Sequence, residues 1–130
     1  MATMLSRDTR TFEAGEDLSA AQFHFVTLEA DGQVDLADAD AENCVGVLLN
    51  NPSAAGYAAT VVMTGRVLVE AGGAITAGDA IATNNAGEAI ELTASSSATA
   101  VTMGYAVEDA VDGQIFTIEL IQGGNVSDQS

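Results

Sequence analysis

The stretch Ala71-Gly72-Gly73-Ala74-Ile75-Thr76-Ala77-Gly78-Asp79-Ala80 has a close relative near the start of the chain, Ala14-Gly15-Glu16-Asp17-Leu18-Ser19-Ala20-Ala21-Gln22-Phe23, with 57 positions between Ala14 and Ala71. From each copy the same order of features follows. A β-rich run leads to a Gly turn at Gly32 or Gly87, and a short run follows at Val34–Leu36 or Ala89–Leu92. A small-residue loop comes next, then an apolar strand built round one glycine, Cys44-Val45-Gly46-Val47-Leu48 or Thr102-Met103-Gly104-Tyr105-Ala106. Each copy closes with a last β-run, Ala59–Gly65 or Phe116–Gly123. Because Gly46 to Gly104 and Gly65 to Gly123 are both 58 apart, the register holds within one residue.

No helical stripe of useful length interrupts this pattern. Short β-runs at regular spacing with glycine turns imply an all-β domain, a small barrel or sandwich built from two pseudo-repeats, with an extended N-terminal arm. The expected division is an arm at 1–12, a single β domain at 13–124 and a flexible tail at 125–130. Within the domain, repeat one spans 13–69 and repeat two 70–124. Either half alone would leave an apolar face and open strand edges, so the two halves complete one core. At 130 residues with 48% hydrophobic content but no Trp, that core is made of small side chains.

Charge narrows the partners. The chain carries 19 acidic residues against three arginines and no lysine, a net −16. Nucleic acid is excluded as a partner, since phosphates are bound by Lys and Arg that displace counterions. An anionic membrane is repelled for the same reason, and no apolar run is long enough to span one. Met1–Phe12 holds charges and no continuous apolar run, so no secretory leader is expected. This arm carries Arg7 and Arg10, two of the three basic residues; disorder in isolation is the preferred reading, and an arm lying on an acidic surface of a neighbouring subunit or partner is the alternative. Arg66 is the single basic residue beyond it, suited to a surface ion pair or an intersubunit contact.

Chemical motifs are sparse. Cys44 stands alone in an apolar strand and reads as a buried small hydrophobe. His24 is the single histidine; strand alternation sets Phe23, Phe25 and Thr27 on one face and His24 with Val26 and Leu28 on the other. Without a Cys or His partner it reads as an ordinary strand residue, and no metal site is expected there. Asp35, Asp38, Asp40 and Glu42 invite a calcium reading, yet they lack the turning Gly and distal Glu of a calcium loop. The matching loop of repeat two, Ala94–Thr99, has no carboxylate, so a solvated loop tip is the preferred reading. Asn50–Gly56 is a loop with the chain's one proline, Pro52. No nucleophile elbow exists, Gly72-Gly73 and Gly123-Gly124 have no adjacent Lys or Arg to cradle phosphate, and the attachment lysine of a swinging-arm carrier is missing. No enzyme activity and no cofactor are expected.

The order of Ala71–Asp79, a strand, a Gly turn, a Val-Gly-Val or Met-Gly-Tyr strand and a Gly-Asp or Gly-Gln turn into an apolar strand resembles the capsid cement or decoration proteins of tailed viruses, of bacteria or archaea. The similarity covers Ala14 to Gly123 and rests on small residues and strands, so no functional residue transfers individually. It implies a virion protein on the outer surface of an icosahedral capsid, made in the host cytoplasm. Such a protein bridges and stabilises major capsid subunits, commonly as a trimer. Arg7, Arg10, Phe12 and Arg66 are the expected partner contacts, with apolar strand faces forming the trimer contact. A second class stays open: a secreted or surface ligand-binding or adhesive β-module, whose calcium dependence rests on Asp35–Glu42 alone.

An acidic, soluble surface is the preferred reading of the charge; absence of lysine, which departs from most relatives, opens a second, a host living in high salt. At molar salt the Debye length falls to about 3 Å, against about 10 Å at 0.1 M, so self-repulsion of the acidic surface is screened. If the composition is an adaptation to salt, the melting temperature rises steeply with NaCl across that range; a Tm indifferent to NaCl removes the halophilic reading.

Overall fold

The structure, a computed structural model, describes residues 8–38, 44–92 and 102–121. Nine strands and no helix occur among them: β1 Asp8–Ala14, β2 Phe25–Leu28, β3 Gln33–Leu36, β4 Gly46–Leu48, β5 Ala58–Glu70, β6 Ala80–Thr83, β7 Ala89–Glu91, β8 Gly104–Ala106 and β9 Ile115–Leu120. The sheet runs β1-β3-β2-β4-β5-β9-β8-β6-β7, and β1 also pairs with β5. That extra pairing closes β1-β3-β2-β4-β5 into a five-stranded barrel. The second half curls the same way, and a parallel bridge between Ala71 and Ala89 brings β7 back beside the end of β5.

Pseudo-symmetry holds pairing by pairing. In β1–β5, Thr9 faces Val62, Arg10 Val61, Thr11 Thr60, Phe12 Ala59 and Glu13 Ala58. Moving 57 positions along gives the β5–β9 pairs Arg66 with Glu119, Val67 with Ile118, Leu68 with Thr117, Val69 with Phe116 and Glu70 with Ile115. Turn bonds repeat as well: Gly15 N donates to Val34 O at 2.8 Å and Gly72 N to Ala89 O at 2.7 Å. Both hairpin glycines take the left-handed backbone that their tight turns need, Gly32 at φ 87° and Gly87 at φ 78°. The repeated unit thus reaches back at least to Thr9 and Arg66.

Two cores flank β5. One gathers Ala14, Leu18, Ala21, Val26, Val34, Leu48, Ala59 and Val61 inside the first barrel. The larger joins Val67, Val69, Ile81, Phe116, Ile118 and Leu120 of the second half to Phe25, Val47 and Val62 from the outer face of the first. Adjacent pairs such as Phe25-Val26, Val47-Leu48 and Val61-Val62 are therefore all fully buried, one side chain in each core. Each such aliphatic or aromatic side chain contributes about 1.5–3 kcal/mol relative to exposure. Cys44 is buried, as expected of it.

Three expectations change. Ala59–Gly65, read as the closing run of the first copy, instead continues to Glu70 within the 13-residue strand Ala58–Glu70, because Gly65 at φ 104° carries the chain from one half to the other without breaking the ladder. Asp8–Phe12, placed in the arm, belong to β1 and pair with β5, since their backbone groups complete the barrel's hydrogen bonding. Arg7, the acidic loop's Asp40 and Glu42, the Ala94–Thr99 loop, Gly123-Gly124 and the 125–130 tail lie outside the described residues. Finally, the alternation expected from Phe23 onward starts only at Phe25: Phe23 has φ 69°, and His24 precedes the strand.

Gly46 and Gly104 occupy equivalent places where two strands touch: a methyl at either would collide with a carbonyl oxygen of the adjacent strand, Val62 O or Glu119 O. Backbone offers no rotamer to yield. Gly46→Ala and Gly104→Ala should each cost about 1–3 kcal/mol or more, measured by chemical denaturation; unchanged midpoints would show that the strands separate freely there.

Candidate functional site

The seam between the halves assembles the most concentrated chemistry among the described residues. The second hairpin turn, residues 84–88, docks on the first half through Phe25 N donating to Gly87 O at 2.7 Å, while Glu70 N donates to Phe23 O at 3.0 Å. These bonds fix three backbone segments around the buried His24 ring. Its Nδ1 lies 3.0 Å from the Ala86 carbonyl oxygen and its Nε2 2.9 Å from Glu70 Oε1. Glu88 completes the group: donor atoms of His24, Glu70 and Glu88 all lie within 4.8 Å of one another. Asn84 holds Glu88 in place, its Nδ2 donating to Glu88 Oε1 at 3.0 Å and its Oδ1 accepting from Glu88 N at 2.9 Å. An imidazole between two carboxylates can hold a proton or a cation.

Sequence reasoning missed this cluster because Glu70 stands 46 residues from His24 and joins it only across the seam. A signal existed in the repeat. Glu70 and Glu88 occupy the places of Glu13 and Gln33, where Gln33 Nε2 donates to Glu13 Oε1 at 3.2 Å. One amide and one carboxylate in repeat one become two carboxylates in repeat two.

The acidic stretch that invited a calcium reading borders a depression of about 530 Å³ lined by Glu16, Glu29, Asp35, Asp38, Thr27 and Asn85, among others. Two of its carboxylates serve the fold. Glu16 Oε2 accepts from Leu36 N at 2.9 Å and Glu29 Oε2 from the Thr27 hydroxyl at 2.8 Å. Asp35 Oδ1 is tucked against Gly15, in space that a side chain at 15 would fill, and has no hydrogen-bond partner. Burial foremost, then the charges of Glu16, Glu29, Asp31 and Asp38, raise the Asp35 carboxyl above the ordinary aspartate range.

Of the expected contact residues, Arg10 is exposed on β1 with its Nε 3.6 Å from Asp8 Oδ1, and Phe12 is half-buried against the first core. Arg66 lies far from both along β5. Its Nε donates to Glu119 Oε1 at 3.1 Å on the outer face of the second half. There the register sets Arg66, Glu119 and Tyr105 in one cross-strand row and Leu68 with Thr117 in the next. Leu68 and Tyr105 are exposed large apolar side chains, as is Ile115 on the same strand group.

An all-β body of two pseudo-repeats fused through one strand is the class these features define. A family model described as phage cement protein matches residues 7–120, and the chain belongs to that family. It is accordingly a structural protein of the phage capsid, as the resemblance in its glycine-spaced strands implied. The crystal structure of the head fiber gp8.5 N base in bacteriophage phi29 has a similar fold, with TM-score 0.66 and 20% identity over 95% of this chain and 100% of that one. No curated protein matches the chain in sequence.

A raised carboxyl pKa means the fold disfavours charged Asp35, so the penalty is present at neutral pH. It is relieved as pH falls through the raised value toward that of an unfolded aspartate. Asp35→Asn should therefore raise Tm at pH 7 in low salt, with the gain vanishing in acid. A gain that persists below the ordinary aspartate range would point to packing instead of charge.

Proposed function

We propose that the protein binds the outer surface of an icosahedral capsid as a homotrimer, bridging neighbouring major capsid subunits and stabilising the shell. The observation that carries this reading is the family match across 7–120, which takes in nearly every described residue. Net charge supports it, since a surface at −16 is repelled by packaged nucleic acid and keeps a protein needed in many copies soluble. The outer face of β5, β8 and β9 supplies a contact of suitable chemistry: apolar Leu68, Tyr105 and Ile115 beside the Arg66–Glu119 pair. We assign subunit or capsid contact to this face and to Arg7 and Arg10 at the N-terminal end. Phe12 contributes by anchoring β1 to the first core.

Purified protein mixed with shells lacking it should cosediment to saturation and raise the temperature at which shells rupture; failure to cosediment sinks the proposal. Deleting residues 1–7 or making Arg66→Gln should lower occupancy while leaving the melting temperature of the free protein nearly unchanged, since an exposed ion pair contributes about 0–1 kcal/mol. Deleting residues 1–12 should instead destabilise the domain, since it strips the β1–β5 ladder. Full occupancy by both of the milder variants would show that the contacts lie elsewhere.

A further inference from the structure

We propose that His24, Glu70 and Glu88 bind one divalent transition-metal cation, of which zinc is the natural probe, and that this ion clasps the two pseudo-repeats together. Each ligand comes from a different part of the chain: His24 from the segment before β2, Glu70 from the end of the shared strand, Glu88 from the second hairpin.

Charge balance carries the proposal. Positions 13 and 33 of the first half hold one carboxylate and one amide, joined by a hydrogen bond. Positions 70 and 88 hold two carboxylates at the equivalent place, with Gly72 leaving the room that Glu88 and Asn84 occupy. An imidazolium at His24 brings one positive charge to two negative ones. A divalent ion brings two, and the imidazole can then stay neutral.

The hydrogen bonds agree with this assignment. The Ala86 carbonyl can only accept, so His24 Nδ1 carries a proton and the neutral ring presents its Nε2 lone pair toward Glu70 Oε1. Without a second proton or a cation, two lone pairs face one another at 2.9 Å. A ring nitrogen that donates to a backbone carbonyl while the other meets the metal is the usual way a histidine ligand is oriented. Asn84 orients Glu88 in the same manner.

One imidazole and two carboxylates suit zinc and its neighbours in the transition series better than calcium or magnesium, which prefer all-oxygen shells. Zinc–ligand bonds of about 2.0–2.2 Å set tetrahedral donors about 3.3–3.6 Å apart, so His24 Nε2 and Glu70 Oε1 spread a little from 2.9 Å as the ion enters a group that spans no more than 4.8 Å. Glu70 is partly open to solvent, its side chain 31% exposed, so water can complete the coordination.

The full chain, stripped with a chelator and dialysed, is titrated with zinc chloride and separately with calcium chloride. High NaCl screens weak association with the acidic surface. Calorimetry should find one zinc per chain with a rise in Tm, and no comparable response to calcium. Glu88→Gln recreates the Glu13–Gln33 arrangement, so it should fold with a Tm in chelator at least equal to that of the parent while zinc affinity falls by about 100-fold or more. His24→Asn should lose the zinc response as well. Absence of zinc binding by the parent chain, or an undiminished response in Glu88→Gln, overturns the proposal. A Tm that ignores zinc also overturns it, in favour of a His24–Glu70 ion pair that needs no metal.

Discussion

Everything in the fold depends on β5 serving both cores. Its first part closes the barrel of the first half, its second part opens the sheet of the other, and its side chains fill both cores. Val61 points into one core and Val62 into the other, so the strand cannot leave either half without exposing apolar surface and breaking ladders on both flanks. A protein made this way has no half that stands alone. Gly65 makes the arrangement feasible, since its left-handed backbone lets one strand change partners without a loop.

A second constraint turns similar halves into a single asymmetric body. The two hairpin turns share their internal hydrogen bonds, with Gly32 N donating to Glu29 O and Gly87 N to Asn84 O. Their surroundings differ. A methyl at Gly32 would meet nothing, whereas one at Gly87 would press on Leu36, the Phe25 carbonyl and His24. The second turn is thus a plug against the first half, and the first turn is free of the corresponding role. Where the plug seats, the chain concentrates His24, Glu70 and Glu88, so the mechanical seam and the polar cluster are one place.

For a structural protein of a capsid, these two features suit the task. Load applied to either half passes through a continuous strand instead of a linker. The net charge of −16 surrounds an exposed apolar strand face, where Leu68, Tyr105 and Ile115 stand beside the Arg66–Glu119 pair. In the depression beside β2 and β3, Glu16 and Glu29 accept hydrogen bonds from within the fold, while Asp35 Oδ1 is buried without a partner.

The order of residues alone determined the all-β class, the 57-residue periodicity, the hairpins at Gly32 and Gly87, the buried Cys44 and the family resemblance. Those features are local: turn chemistry and side-chain alternation act between near neighbours, so they are legible in one dimension. Tertiary structure decided that Asp8–Phe12 joins the barrel, that two runs fuse into β5, and that Phe25 and Val26 are buried together. It also decided that His24 meets Glu70 and Glu88. Such outcomes depend on which strand edge finds which partner and on what covers a sheet's outer face, and in a closed sheet those partners are distant in sequence.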